Sequence, residues 1–218
     1  MKEKWDKLIE DCKEHLKAKV DVRFTDFIYN KLEEFYNGNE RYYHNLDHIK
    51  TLLEFLEWDF GDQLKQIHKS SKTIVEIAIW FHDVIYIPGY TENEIASANF
   101  CKIFTSSMNL SKWYDIDGLI IDTDHKFIPL TLGLSNIICD LDLRELADEK
   151  RYFEIANLVR KEFSHLSIEE WRKGRKEFLK SFLAKDRIYH TKMYYDRYEK
   201  LARENIEKEL IRKFNGRN

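Results

Sequence analysis

Two side chains able to do chemistry, His82 and Asp83, stand in a run that is otherwise almost wholly apolar: Ile74 to Ile87 reads IVEIAIWFHDVIYI. A helix apolar on all sides belongs in the middle of a core. An imidazole and a carboxylate are costly to bury there unless something pairs with both, and a bound metal ion does that. The question is whether the chain supplies further ligands.

Three other places do: His44 with His48, Asp124 with His125, and Asp140 with Asp142. The last two carboxylates belong to Cys139-Asp140-Leu141-Asp142-Leu143, again charge inside an apolar surround. Two imidazoles and two carboxylates make a mixed nitrogen and oxygen set. Such a set suits Mn, Fe, Co, Ni or Mg better than a thiolate site would. Four protein ligands leave positions on a six-coordinate ion for water and a substrate oxygen, which is what phosphoryl activation needs.

Helices must carry these groups. With 7 Gly and 2 Pro in 218 residues, little interrupts the chain. Trp5, Leu8, Ile9, Cys12 and Leu16 recur at helical spacing. A second helix is expected from Arg23 to Tyr36, with Phe24, Phe27, Ile28, Leu32 and Phe35 inward. A third runs from Asn45, its cap, to Phe60, with His48 in its first turn. The buried helix that contains His82 and Asp83 is expected to end at Pro88-Gly89, after which Thr91 and Glu94 have the spacing of a capping box. Further helices are expected over Lys112–Asp124, Asn136–Leu146, Glu149–Phe163, Ile168–Leu183 and Thr191–Phe214, with a loop around Pro129 and Gly133. No stretch has the two-residue period of a strand, so the fold class is all-α, an irregular bundle of about eight to ten helices.

At 43% hydrophobic and 34% charged residues the composition is that of a globular protein rather than a disordered one. A net charge of −3 argues against a duplex nucleic-acid binder. Cys12, Cys101 and Cys139 are odd in number and have no CxxC spacing, which fits reduced thiols. The start, Met1-Lys2-Glu3-Lys4-Trp5, leads into no apolar leader, and no window reaches ~18 apolar residues. A soluble cytoplasmic protein is expected, with no membrane partner. The sequence assigns no oligomeric state.

The order His, then His-Asp, then Asp resembles the HD superfamily of metal-dependent phosphohydrolases. More narrowly, Tyr43-His44-Asn45-Leu46-Asp47-His48-Ile49, Trp80-Phe81-His82-Asp83-Val84-Ile85-Tyr86 and Asn93-Glu94-Ile95-Ala96-Ser97-Ala98 are similar to a bacterial subgroup of that superfamily. Phe182-Leu183-Ala184-Lys185-Asp186-Arg187-Ile188-Tyr189, with Glu199, Ala202, Arg203 and Asn205 further on, resembles the subgroup's tail. The similarity covers roughly 25–210. It implies a single HD-type helical domain over 1–218, with a core of about 25–165 and C-terminal helices of about 166–214 packed on it.

Carried over by motif, His48 matches the first metal ligand, His82 and Asp83 the central pair, and Asp142 the last. Asp140 is the alternative to Asp142; the Asp-Leu that enters a helix fits the closing motif better. With His125 as the one extra histidine candidate, the resemblance implies one divalent ion, Mn, Fe, Co, Ni, Mg or Zn. The implied activity is hydrolysis of a phosphoester or phosphoanhydride of a small molecule, with nucleotides among the candidates. Asp83 would orient or deprotonate the attacking water, and Glu94 would transfer a proton or fix its loop. His44, Asn93, His125, Arg187 and Tyr189 are the substrate-binding candidates. Two other readings compete: a helical module that binds a metal or ligand without turnover, and a di-iron oxygenase, which needs more His and Asp ligands.

Overall fold

A computed structural model describes residues 1–110, 114–125 and 133–212, without the side chains of Lys65 and Ile67. These residues form helices joined by turns and loops, and no strand occurs among them. The expected helix start at Lys112, the loop at Pro129 and the last turn at Phe214 lie outside the described residues. No described helix is long and apolar enough to cross a membrane. By its internal contacts the chain divides into two compact units, Met1–Ile138 and Cys139–Asn218.

The first unit begins with α1 (Lys2–Leu16), whose buried residues Trp5, Leu8, Ile9, Cys12 and Leu16 are the stripe that the spacing predicts. Trp5 is fully buried. Its ring meets Trp80 edge-on at 5.4 Å and packs against Phe104 at 5.3 Å and Phe81 at 6.2 Å. The helix just before the His-Asp pair is thereby held from its buried side.

In α2 (Val22–Tyr36) the inward face differs from the expected one. The structure buries Thr25, Ile28, Tyr29, Leu32 and Tyr36, while Phe27 is 54% exposed and Phe24 and Phe35 are half-buried. The reason is tyrosine chemistry. A tyrosine can bury its ring when its hydroxyl finds an acceptor. Tyr36 donates to the Trp80 carbonyl at 3.1 Å and Tyr29 donates to Glu33 at 2.6 Å, so the stripe turns by one residue.

Next come α3 (Leu46–Phe55), a π-helical turn over Leu56–Phe60, α4 (Gly61–Ile67) and α5 (Lys69–Phe81). The π turn interrupts what periodicity alone reads as one helix to Phe60. Helix α5 is buried nearly all round from Ser70 to Phe81, as its composition requires. It stops earlier than expected: His82 is its C-cap, still with helical angles (φ −58°, ψ −37°), and Asp83 lies beyond the end. The unit continues with α6 (Asn93–Ser107), α7 (Ile116–Ile121) and a short 3-10 turn over Asp122–Asp124. Helix α6 packs on α7, and α5 packs on both α1 and α7. The expected Thr91–Glu94 capping box does not form. Helix α6 starts two residues after Thr91, behind a Glu92 whose side chain makes no capping bond and instead accepts from the Tyr90 hydroxyl.

Helix α8 (Leu134–Leu143) runs through the division of the chain, and a 3-10 turn over Arg144–Ala147 follows it. The second unit then holds α9 (Tyr152–Glu162), α10 (Ile168–Leu183) and α11 (Lys192–Leu210). A capping box opens α10: Ser167 accepts from the Glu170 N–H and Glu170 accepts from the Ser167 N–H. Buried Glu209 on α11 receives two bonds from Arg175 of α10 and one from the Tyr152 hydroxyl. A charge is tolerated there because it is paired and fully hydrogen-bonded.

The aromatic packing around Trp5 gives a stability prediction. Trp5→Ala should cost about 3–5 kcal/mol, read as a lower urea midpoint in equilibrium unfolding. A loss under 1 kcal/mol would show that this cluster does not hold α5 in place.

Candidate metal centre

Each donor owes its position to a local device. Asn45 caps α3: its side-chain oxygen accepts from the Asp47 N–H at 2.9 Å and the His48 N–H at 3.3 Å. Its amide nitrogen donates to the carbonyls of Arg41 and Tyr42. His48 thus enters the first unit from a fixed first turn and is buried. His82 is buried too, and its Nδ1 lies 2.9 Å from the Ile79 carbonyl. A carbonyl only accepts, so Nδ1 carries a proton, and in the neutral ring Nε2 presents its lone pair. That arrangement is the usual way of orienting a metal-binding imidazole.

The chain beyond His82 is fastened from two sides. Arg41 donates through Nη1 to the carbonyls of His44 (3.0 Å) and Asp83 (2.7 Å), and through Nη2 to that of Val84 (2.9 Å). Ser97 on α6 both accepts from the Ile85 N–H and donates to the Ile85 carbonyl. Asn93 accepts from the Ile87 N–H and donates to the carbonyls of Ile87 and Tyr90. These bonds replace the i to i−4 ladder, which explains why α5 ends at Phe81 rather than near Pro88. Arg41 is the residue here that sequence reasoning passed over, as part of a polar stretch between helices. Its one available signal was a lone cation three residues before the His44–His48 pair.

One donor atom from each of His48, His82, Asp83 and Asp142 falls within 4.8 Å of the other three. His82 Nε2 is 3.1 Å and His48 Nε2 is 3.9 Å from Asp83 Oδ2. With metal–donor bonds near 2 Å, adjacent donors around one ion lie about 3 Å apart and opposite ones about 4 Å apart. The spacing and the chemistry of this donor set both fit a divalent ion. With His82 neutral, a lone pair facing a carboxylate oxygen at 3.1 Å also calls for something positive between them. A proton joins two atoms, whereas a group of four donors fits an ion. The group His48, His82, Asp83 and Asp142 could therefore hold a metal ion.

Asp140 and Asp142 part company. Asp140 accepts from the His190 N–H (2.6 Å), the Thr191 N–H (2.8 Å) and the Thr191 hydroxyl (2.6 Å). Thr191 in turn caps α11, accepting from the Tyr194 N–H. Asp140 is buried and spent on the entry to α11, which leaves Asp142 in the donor group.

The remaining candidates stand outside that group. His44 stacks on Tyr86 with ring centroids 4.0 Å apart, and its ring centroid is 6.0 Å from that of His48. Glu94 is half-buried in the first turn of α6. His125 ends the 3-10 turn in the left-handed conformation (φ 57°). Arg187 is exposed and lies over the Tyr195 ring at 5.0 Å. Tyr189 is fully buried, its hydroxyl donating to the Leu143 carbonyl, and burial pushes its phenol well above the ordinary range. Glu199 accepts from the N–H groups of Ile188 and Tyr189 and pairs with Arg203, which donates to the carbonyls of Leu183 and Lys185. Most of the tail motif therefore ties α10 to α11. Compared with family models, curated proteins and solved structures, the chain matches none.

The two aspartates should separate on substitution. Asp140→Ala should lower unfolding stability by roughly 2–4 kcal/mol and leave Mn²⁺ affinity near wild type below the melting temperature. Asp142→Ala should do the reverse, weakening Mn²⁺ binding by calorimetry with little change in stability. The opposite pattern would reassign the fourth donor to Asp140.

Proposed function

We propose that this chain is a metal-dependent phosphohydrolase of the HD type, acting on a small phosphorylated compound, with nucleotides among the candidates. The observation that carries this reading is the meeting of four donors, His48, His82, Asp83 and Asp142, in one group. Supporting it are the order of those residues along the chain and the flanking motifs that resemble the HD superfamily.

A bound divalent ion supplies Lewis acidity, acidifying a water and polarising a phosphoryl oxygen. The protein's own groups do the rest. His82, its Nδ1–H held by Ile79, keeps Nε2 aimed and dry. Asp83 would help to hold the ion and could accept a proton from the attacking water through its carboxylate, its backbone held by Arg41. His44 and Arg187 are the donors proposed for phosphoryl oxygens, where charge grows as the bond to the leaving group breaks. Glu94 is proposed to carry the proton onward, and His125 to contact the substrate. Asn93 and Tyr189 already bond to Ile87, Tyr90 and Leu143, so their part is to hold the loops.

A second reading has its own observation. His82 and Asp83 at 3.1 Å also suit a protonated ion pair inside a helical module without turnover.

Phosphate release should be screened across nucleotides and sugar phosphates with Mn, Mg, Fe, Co, Ni and Zn. Wild type should release phosphate with one ion per chain. Asp83→Asn should cut the rate on the order of 10²–10⁴-fold, and His82→Ala should abolish metal binding and release together. Unchanged release in both variants would remove the mechanism. Metal binding without release from any substrate favours the binding module, and two irons per chain favours an oxygenase.

A further inference from the structure

We infer that Arg41 is a positioning residue for the metal centre: its guanidinium fixes the segment that enters α3 against the segment that leaves α5, so that His48 and Asp83 meet. The inference rests on the metal-centre reading above and adds a residue that is not itself a ligand.

The two segments are far apart in the sequence and begin from separate helices. His48 belongs to α3, whose entry is set by the Asn45 cap, and His82 and Asp83 follow the last turn of α5. Arg41 spans both. Nη1 is shared between the His44 carbonyl on one segment and the Asp83 carbonyl on the other, and Nη2 takes Val84. The Asp83 bond, at 2.7 Å, acts on the main chain of a proposed ligand. The guanidinium also lies over the rings of Tyr36 (5.5 Å) and Tyr86 (5.4 Å). Tyr86 stacks in turn on His44. Arg41 itself is tied in place, its N–H donating to the Gly38 carbonyl and its carbonyl accepting from Asn45.

Charge by itself predicts the opposite sign from positioning. A cation close to Asp83 disfavours a second, divalent cation there. A neutral substitute would then tighten metal binding if electrostatics were all that Arg41 contributed. Positioning predicts weaker binding. The planar fork is also irreplaceable by an ammonium, which offers a compact point charge and cannot serve three carbonyls while lying between two rings.

The test is Mn²⁺ titration by calorimetry, below the melting temperature, on the full chain. The variants are Arg41→Met, Arg41→Lys and, as a control, the core truncation Ile28→Val on α2, with folding checked by circular dichroism. Both Arg41 variants should bind Mn²⁺ about 10–100-fold more weakly, the usual loss when a partner behind a metal ligand is removed. Ile28→Val should lose stability and keep its affinity. Affinity in Arg41→Met equal to or tighter than wild type would overturn the inference, as would full affinity in Arg41→Lys. A weakening in Ile28→Val as large as in the Arg41 variants would also overturn it, since general destabilisation would then be the cause. Wild type that binds none of the divalent ions tested is a different failure, that of the metal centre itself.

Discussion

Two polar atoms, His82 Nε2 and Asp83 Oδ2, are held 3.1 Å apart in a largely dry surround, with a cation or a proton needed to reconcile them. Most of what is distinctive in the first unit follows from the need to keep them there. Ile79 settles which nitrogen of His82 carries the proton. Helix α5 gives up its ladder at Phe81 so that the next carbonyls can go to Arg41. Ser97 and Asn93 then absorb the main-chain groups of Ile85 and Ile87. A backbone that leaves a helix inside a core must place each polar group on a new partner. The polar residues surrounding this pair supply those partners.

The second unit solves a comparable problem with carboxylates. Asp140, Glu199 and Glu209 are all buried, and each accepts several bonds from backbone or arginine donors. A buried carboxylate surrounded by N–H groups is satisfied as an anion and acts as a cap or clasp. One surrounded by other lone pairs fits a cation. That contrast in surroundings, rather than burial, separates the structural acids from the candidate ligand.

Much was legible in the chain. Helical spacing marks α1 down to its buried residues, and the limits of α10 fall at Ile168 and Leu183 as its pattern indicates. The candidates His48, His82, Asp83 and Asp142, with Asp140 as the alternative to the last, were readable through the resemblance of their order and flanking motifs to a known pattern. Less legible was the face of α2, where Tyr29 and Tyr36 displaced phenylalanines once their hydroxyls found acceptors. The Thr91–Glu94 spacing proved silent because the loop before α6 is set by Asn93 instead.

Sequence alone thus determined the helical class and the apolar character of α5, since both depend on residue type and short-range period, and it marked His48, His82, Asp83 and the Asp140–Asp142 pair as candidates. Tertiary structure decided where α5 stops, which aspartate of α8 holds the entry to α11, and that Arg41 bridges two segments. Those outcomes turn on hydrogen bonds between residues such as Arg41 and Asp83, 42 positions apart. Local patterning cannot encode such a bond, because its strength depends on two segments brought together by a core that neither of them contains in full.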